Sequence, residues 1–473
     1  MVSVSVDVNI EDTIAAISTP LGQGGIGIVR ISGKCALKIA DKIFRSKKKV
    51  KPSQFDTFTL HYGVIIGKNL RFGEKNEIID QVLLTVMRGP HTYTCQDVVE
   101  INCHGGIVPL SKILEITLQC GARMANPGEF TQRAFLNGRI DLLQAEAVLN
   151  IITAKTDLAL HCAMGQLQGM VSDRIHKLRD GLIELAAPLE ALLDFPDQEI
   201  ARLPPKKIIK ILEHTIENIK SLINSAERGM MLQNGINVVI SGSPNVGKSS
   251  LMNRFVDYER VIVTHISGTT RDVVEEIINI DGLPVKIFDT AGIMESECLI
   301  TQKSVIRSFS VLEKADLVLY MFDASKKISE SELQTAKKLK HKKVIIVLNK
   351  IDKPENINIT RVKNILTYTP IVKISALNGL GISELKKQIV KYFFSGKILQ
   401  NDEIIITNMR HKQILQRCLT NITNGLEIAR NNGYDECLVF EIRQALDTLG
   451  EITGENVSED ILDNIFGRFC IGK

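Results

Sequence analysis

The stretch GSPNVGKS, Gly242 to Ser249, fits the pattern G-x-x-x-x-G-K-[ST]. It stands between the apolar run INVVIS and the helical stretch SLMNRFV. No other feature constrains the fold as strongly. A glycine-rich turn that leaves a buried strand and opens a helix can wrap phosphates, because its N–H groups point inward at the positive end of the helix. Gly242 and Gly247 let the backbone close around the phosphates, Lys248 reaches the β- and γ-phosphates, and the Ser249 hydroxyl ligates Mg²⁺. Downstream, the short apolar runs LPVKIFD, DLVLYMF, KVIIVL and PIVKIS alternate with helical stretches, which predicts a doubly wound, mainly parallel sheet. Asp281-Gly282, between two such runs, predicts one antiparallel hairpin.

Further stretches define the nucleotide. DTAG, Asp289 to Gly292, ends a strand, and Asp289 can hold Mg²⁺ through water. NKID, Asn349 to Asp352, follows KVIIVL, and the Asp352 carboxylate can accept two hydrogen bonds from a guanine edge. ISAL, Ile374 to Leu377, can give backbone N–H to the guanine oxygen. THISGTTRD, Thr264 to Asp272, offers Thr270 to complete the Mg²⁺ shell when a γ-phosphate is present, which makes it a switch. The expected GTP contacts from the loop are Asn245, Val246, Gly247, Lys248, Ser249 and Ser250. Those from the switch are Thr264, His265, Ile266, Ser267, Gly268, Thr269 and Thr270. Asp289, Thr290, Ala291 and Gly292 follow, and Asn349, Lys350, Asp352, Ser375, Ala376 and Leu377 surround the base. Ile293 stands where many GTPases place a water-orienting Gln, so hydrolysis needs another group or is slow.

A chain of 473 residues is too long for one core, and 44% hydrophobic with 24% charged residues is a globular balance. The net charge of +4 neither marks nor excludes a nucleic-acid binder. No apolar run reaches membrane-spanning length, and MVSVSVDVNIEDT lacks a signal-peptide pattern, so a cytoplasmic location is expected. The nine cysteines form no Cys-x-x-Cys pair, which favours reduced thiols over a zinc site. RSKKKVK, Arg45 to Lys51, favours a solvated loop over an RNA contact. GIGIVRIS, TFTLHYGVII and IDQVLLTVM read as strands, and GGIVPLSKILEITLQ as a helix. GQGGIG, Gly22 to Gly27, fits a dinucleotide fingerprint, but IVRIS after it reads as strand where that motif needs a helix. Long helical periodicity follows from about Asn126 to Gln233 and returns near residue 397. The expected domains are an α/β domain over 1–124, a helical domain over 125–233 and 398–473, and an inserted doubly wound P-loop GTPase (Ras-like G) domain over 234–397.

Across essentially its full length the chain resembles the MnmE (TrmE) family of tRNA-modification GTPases. The resemblance rests on DTIAAISTPLGQGGIGIVRISG, NPGEFTQRAFLNGRIDLLQAEAV, GSPNVGKSSLMN with THISGTTRD, and the terminal FCIGK. It implies a homodimer that works with a partner, MnmG, in a heterotetramer on the C5 position of the wobble uridine of certain tRNAs. The one-carbon unit would come from 5-formyl- or 5,10-methylenetetrahydrofolate, bound by an N-terminal, folate-binding-like α/β domain. By motif match the folate contacts are Arg30, Glu100, Arg139 and Lys473, with Arg139 standing where the family usually has Lys. The resemblance also implies K⁺-dependent hydrolysis on G-domain dimerisation. K⁺ would be held by Asn245, Thr264, Ile266 and Thr269, and Mg²⁺ by Ser249 and Thr270. Arg271 is a further catalytic candidate in the same motif. The family Glu thought to orient water falls on Thr301, with Glu295 and Glu297 out of register.

The tail RFCIGK is no prenylation signal, because Gly472 and Lys473 do not fit one. Under the resemblance Cys470 joins the modification chemistry; otherwise it packs as part of a docking tail. The rival function is a non-catalytic RNA-binding or ribosome-assembly GTPase switch, which shares the nucleotide motifs alone.

Overall fold

In a computed structural model the described residues are 10–68, 76–195, 197, 203–259, 276–289, 313–394 and 405–473. The N-terminal sheet has seven strands: β1 (Ile14–Ile17), β2 (Ile26–Ser32), β3 (Phe44–Ser46), β4 (Thr59–Lys68), β5 (Asn76–Met87), β6 (Val98–His104) and β7 (Arg123–Met124). They lie in the order β3-β4-β5-β6-β2-β1-β7, antiparallel except where β7 runs parallel to β1. Alternation along these strands sends Val29, Ile31, Leu84, Val99 and Ile101 into one face. That face is covered by the helices Ala36–Ile43 and Ile107–Gln119, through Ile39, Ala40, Leu110 and Ile113. Each of the Val, Leu and Ile side chains stabilises the fold by roughly 1.5–3 kcal/mol through its burial. The opposite face carries the alternate residues, so Arg30 on β2 stands directly across from Glu100 on β6. The stretch after GQGGIG is strand β2, as its β-branched residues predict.

Beyond β7 the chain enters the helix Glu129–Leu136 through Gly128, whose φ of 68° suits glycine. An added Cβ there would stand 2.7 Å from the Phe466 carbonyl oxygen. Phe135, Leu142, Leu462, Phe466 and Phe469 form one apolar cluster, which joins the C-terminal helix Glu459–Phe466 to this region. The packing carries the last residues of the chain to the edge of the first sheet, where Ile471 bridges Pro127.

The second sheet contains β8 (Ile236–Gly242), β9 (Glu276–Ile280), β10 (Leu283–Asp289), β11 (Leu317–Asp323), β12 (Val344–Asn349) and β13 (Ile371–Lys373), in the order β13-β12-β11-β8-β10-β9. All neighbours are parallel except the β9–β10 hairpin. Asp281 (φ 51°) and Gly282 (φ 93°) make its turn, as their left-handed tolerance predicts. Every residue of β11 and β12 is buried, because apolar clusters cover both faces of the sheet.

The helices Pro205–Asn234 and Met409–Arg430, which flank the α/β segment in sequence, pack side by side. Gly229 permits the approach of the entering chain: a Cβ there would lie 2.1 Å from the Ile406 carbonyl oxygen. The chain divides into two compact units, one of Met1–Leu149, Leu167–Ala186 and Ile442–Lys473, the other of Asn150–Gln166 and Ala187–Glu441. Among the described residues no helix is long and apolar enough to cross a membrane.

Candidate functional site

Strand β8 ends at Gly242 and the next helix, Lys248–Glu259, begins at Lys248, so the whole phosphate motif forms the turn between them. The turn needs left-handed backbone at Asn245 (φ 62°) and Gly247 (φ 101°). Lys248 is 7% exposed and donates from Nζ to the carbonyls of Gly242 (3.1 Å) and Ser243 (3.0 Å), spanning its own loop. Ser249 and Ser250 are exposed at the mouth.

One buried side chain joins three motifs. Asn349 Nδ2 donates to the Val246 carbonyl at 2.7 Å, and its Oδ1 accepts from the Ala376 N–H at 2.9 Å. The next residue adds a second tie, since Lys350 Nζ donates to the Asn245 carbonyl and to Asp323 Oδ2, both at 2.7 Å. Burial pushes the Asp323 carboxyl up, but hydrogen bonds from Lys350 and Ser325 outweigh it and hold the group below the usual carboxylate range. Arg254, on the helix after the phosphate turn, donates to the carbonyls of Ala376 and Leu377.

Asp352 Oδ1 accepts from Ser375 Oγ at 2.5 Å. That hydrogen bond is the main reason its carboxyl sits below the usual range. Ionised, it keeps lone pairs for two donors, and a guanine edge supplies two from N1–H and its 2-amino group. Adenine offers no such pair.

The close fit gives one test. A Cβ at Gly247 would stand 2.3 Å from Asn349 Nδ2, in backbone that disfavours a side chain. Gly247→Ala is therefore expected to displace Asn349 and weaken GTP binding at least 100-fold, read by titration with a fluorescent GTP analogue. Unchanged affinity would show that the turn relaxes around the methyl.

Thr264 to Arg271, Thr290 to Gly292, Glu295, Glu297 and Thr301 lie outside the described residues. Asp289 ends β10, its backbone paired with Ile240 of β8.

A second polar cluster occupies the outer face of the N-terminal sheet. Arg30 Nε pairs with Glu100 Oε1 at 2.8 Å, with the two side chains 18% and 21% exposed. Arg30 and Ser18 Oγ both donate to the Gly472 carbonyl at 3.1 Å. The guanidinium also lies 5.6 Å from the centre of the Phe130 ring. The Arg139 guanidinium is 5.2 Å from the Tyr93 ring centre and donates to the Thr92 carbonyl. Tyr93 and Thr131 share a 2.9 Å hydrogen bond. Burial pushes the Tyr93 phenol up, opposed by Thr131 and by the charges of Arg30 and Arg139. Cys470 is exposed, and its carbonyl accepts from the N–H groups of Gly128 (3.4 Å) and Lys473 (3.3 Å).

The structure thus brings Arg30, Glu100 and the tail together, with Arg139 joined to them through Tyr93. Sequence reasoning missed Tyr93, Phe130, Thr131 and Ser18 here, and Asp323 and Arg254 at the nucleotide turn. Asp323 closes the buried run LVLYMFD beside β12, and a charge at the end of a buried strand is the signal that could have found it.

A glycine turn between strand and helix, braced by Asn349, together with an Asp352 carboxylate held by Ser375, defines a P-loop guanine-nucleotide-binding protein. Two family models divide the chain between them: "GTP-binding protein TrmE N-terminus" matches residues 13–139 and "MnmE helical domain" matches residues 142–470. A "tRNA modification GTPase MnmE" of Alkaliphilus metalliredigens is 44% identical, covering 98% of this chain and 100% of the relative. The relative of that name from Thermoanaerobacter pseudethanolicus is 46% identical over 98% of this chain and 99% of its own length. One from Clostridioides difficile is 44% identical over 98% and 100%. The chain belongs to the MnmE (TrmE) family.

Proposed function

We propose that this protein is a GTPase of tRNA modification that acts, with MnmG, on C5 of the wobble uridine using a tetrahydrofolate one-carbon unit. The observation that carries the proposal is that one chain holds both a guanine-nucleotide turn and the Arg30–Glu100–Tyr93–Arg139 cluster. A ribosome-assembly switch needs only the first.

The residues present fit GTP and Mg²⁺. Asp352 reads the base, the turn from Gly242 to Lys248 supplies phosphate-facing N–H groups, and Ser249 would ligate Mg²⁺ with Thr270. Lys248, which spans its own loop through the Gly242 and Ser243 carbonyls, would exchange them for phosphate oxygens. Asn245, at the exposed tip of the turn, would hold K⁺ with Thr264, Ile266 and Thr269. A cation there neutralises charge developing at the β–γ bridge. With Ile293 and Thr301 in the water-orienting positions, hydrolysis is slow and K⁺-dependent, and Arg271 and Glu297 are the remaining candidates to assist it.

The second cluster fits a pterin. The Glu100 carboxylate suits a ring edge with adjacent N–H donors, Tyr93 gives it an aromatic face, and Arg30, Arg139 and Lys473 suit the carboxylates of the tail. When bound, the folate supplies the one-carbon unit. Tyr93 would then orient the ring, and Cys470 would join the modification chemistry. Arg30→Ala is expected to weaken 5-formyltetrahydrofolate binding by at least tenfold, read by calorimetry, while GTP affinity stays the same. Equal folate affinity in the variant would remove Arg30 from the site.

The working assembly is a homodimer joined through the N-terminal domain (1–124), with the helical domain (125–233 and 398–473) carrying the G domain (234–397), in the cytoplasm. The direct test is nucleoside mass spectrometry of tRNA from a bacterium lacking its own MnmE, with and without this gene and its cognate MnmG. Restored C5-aminomethyl-type uridines are expected. Their absence despite soluble protein and partner would favour the assembly-switch reading.

A further inference from the structure

We propose that the lysine-rich corner Lys337–Lys343 of the GTPase unit binds the phosphate backbone of RNA. The inference rests on the tRNA reading above and adds the surface that would hold the substrate. The stretch reads KKLKHKK, five lysines and a histidine with no acid. The net charge of the entire chain is only +4, so this corner alone carries more positive charge than the sum, and the remainder is close to balanced.

The corner has a fixed shape. Lys337 and Lys338 end the helix Glu330–Lys338, and Leu339, 3% exposed, pins the turn to the core. The Lys340 N–H donates to the Lys337 carbonyl (3.4 Å) and the Lys342 N–H to the Leu339 carbonyl (2.9 Å). Lys342 Nζ donates to the Glu313 carbonyl at 2.6 Å, and Lys343 Nζ stands 4.7 Å from the Phe393 ring centre. The backbone is therefore held while Lys337, Lys338, Lys340, His341 and Lys343 are exposed. Of the carboxylates around it, Asp316 accepts from the Asn237 N–H at 2.8 Å, Glu227 pairs with Lys412 at 2.9 Å and feels Lys343, and Glu313 stands exposed beside Lys342.

Two points select RNA. Charged surfaces that hold membranes also insert apolar side chains, but among the described residues of the corner no large apolar side chain is exposed, Leu339 being buried. The corner also lies at the amino end of β12, whereas Asn349 and the nucleotide motifs lie at its carboxyl end, roughly 17 Å away at the usual rise per strand residue. RNA can dock there without covering the nucleotide.

The test uses the full-length protein and an unmodified tRNA transcript, with affinity measured by fluorescence anisotropy from 50 to 200 mM salt. Lys337→Gln/Lys340→Gln is expected to lower affinity about tenfold at the low-salt end. Losing two phosphate contacts should also flatten the slope of log K against log salt by about 1.5. The loss should be equal for an unrelated tRNA, because phosphates carry no sequence. GTP hydrolysis and melting temperature should stay at wild-type values, which guards against misfolding, and Lys337→Glu/Lys340→Glu should deepen the loss. Identical affinity and slope in wild type and variants would overturn the surface while leaving the tRNA reading standing. No tRNA binding by an active wild-type GTPase would overturn that reading and this proposal together. Loss of binding to phosphatidylserine vesicles with tRNA affinity intact would overturn it in favour of a membrane surface.

Discussion

Asp352→Asn is expected to lower GTP affinity by about 100- to 10,000-fold and to create affinity for xanthosine triphosphate. The argument begins with the Ser375 hydroxyl, which occupies one lone pair of Asp352 Oδ1 at 2.5 Å and helps keep the carboxyl ionised. The remaining lone pairs face the base as acceptors only, which guanine meets with two N–H groups. An amide offers one acceptor and one donor, so it loses a charge-assisted bond at N1 and sets donor against donor at the 2-amino group. Two such bonds are worth about 1.5–3 kcal/mol each, which gives the stated range. Xanthine carries a carbonyl at that position, and the Asn amide can donate to it. Competition of each nucleotide against a fluorescent guanine analogue measures both effects. Retained GTP preference would mean that the Ala376 and Leu377 backbone reads the base instead. Ser375→Ala should have a smaller effect in the same direction, because it removes the hydroxyl and leaves the carboxylate.

Arg133→Ala is expected to destabilise the N-terminal unit by about 3–5 kcal/mol without altering GTP affinity. Arg133 is 0% exposed, the largest fully buried side chain among the described residues. It donates to Asp12, and to Glu129 at 2.9 Å, while Arg123 pairs with the same two carboxylates at 2.7 Å each. Removing Arg133 leaves Glu129, itself 1% exposed, with Arg123 and the Asn126 N–H but with a cavity beside it. Chemical unfolding followed by hydrogen exchange of β1 and the helix Glu129–Leu136 reads the loss. A change below about 1 kcal/mol would show that Arg123 alone satisfies both carboxylates.

The same network sets an acid limit. Burial pushes the Glu129 carboxyl up, but bonds from Arg123, the Asn126 N–H and Arg133 outweigh it and hold the group below its ordinary value. A carboxyl lowered on folding contributes stability that is present above its unfolded value and is lost as pH falls through its folded value. The N-terminal unit should therefore be stable at neutral pH and loosen on the acid side of the ordinary carboxylate range. In Arg133→Ala that loosening should begin at higher pH.

Local chemistry made most of the fold legible. Alternating β-branched residues marked β2, β4 and β5, the Asp281-Gly282 pair marked the hairpin, and fully apolar runs marked strands buried on both faces. The phosphate turn was legible because its residues are contiguous. The contacts that brace it were not. Lys350 meets Asp323 only because β12 lies beside β11 in register, pairing Asn349 with Asp323, and sequence does not state which strands are neighbours. Tyr93 was overlooked for a related reason. Nothing near it in sequence carries the charge that matters, and its importance comes from Arg139 and Thr131, brought in by a helix some forty residues later. Arg133 reads as one basic residue on an amphipathic helix, and only the packing of Asp12 against that helix makes it a buried centre.

The bond from Arg30 to the Gly472 carbonyl spans 442 residues of chain. A ribosome adding roughly 5–20 residues per second takes on the order of twenty seconds to a minute and a half to make that stretch. The N-terminal sheet can fold early in that interval, but Arg30 lacks this acceptor until Gly472 has been added and has left the exit tunnel. A chain without Gly472 would carry the Arg30–Glu100 pair but not the carbonyl that receives the guanidinium from the far end of the sequence.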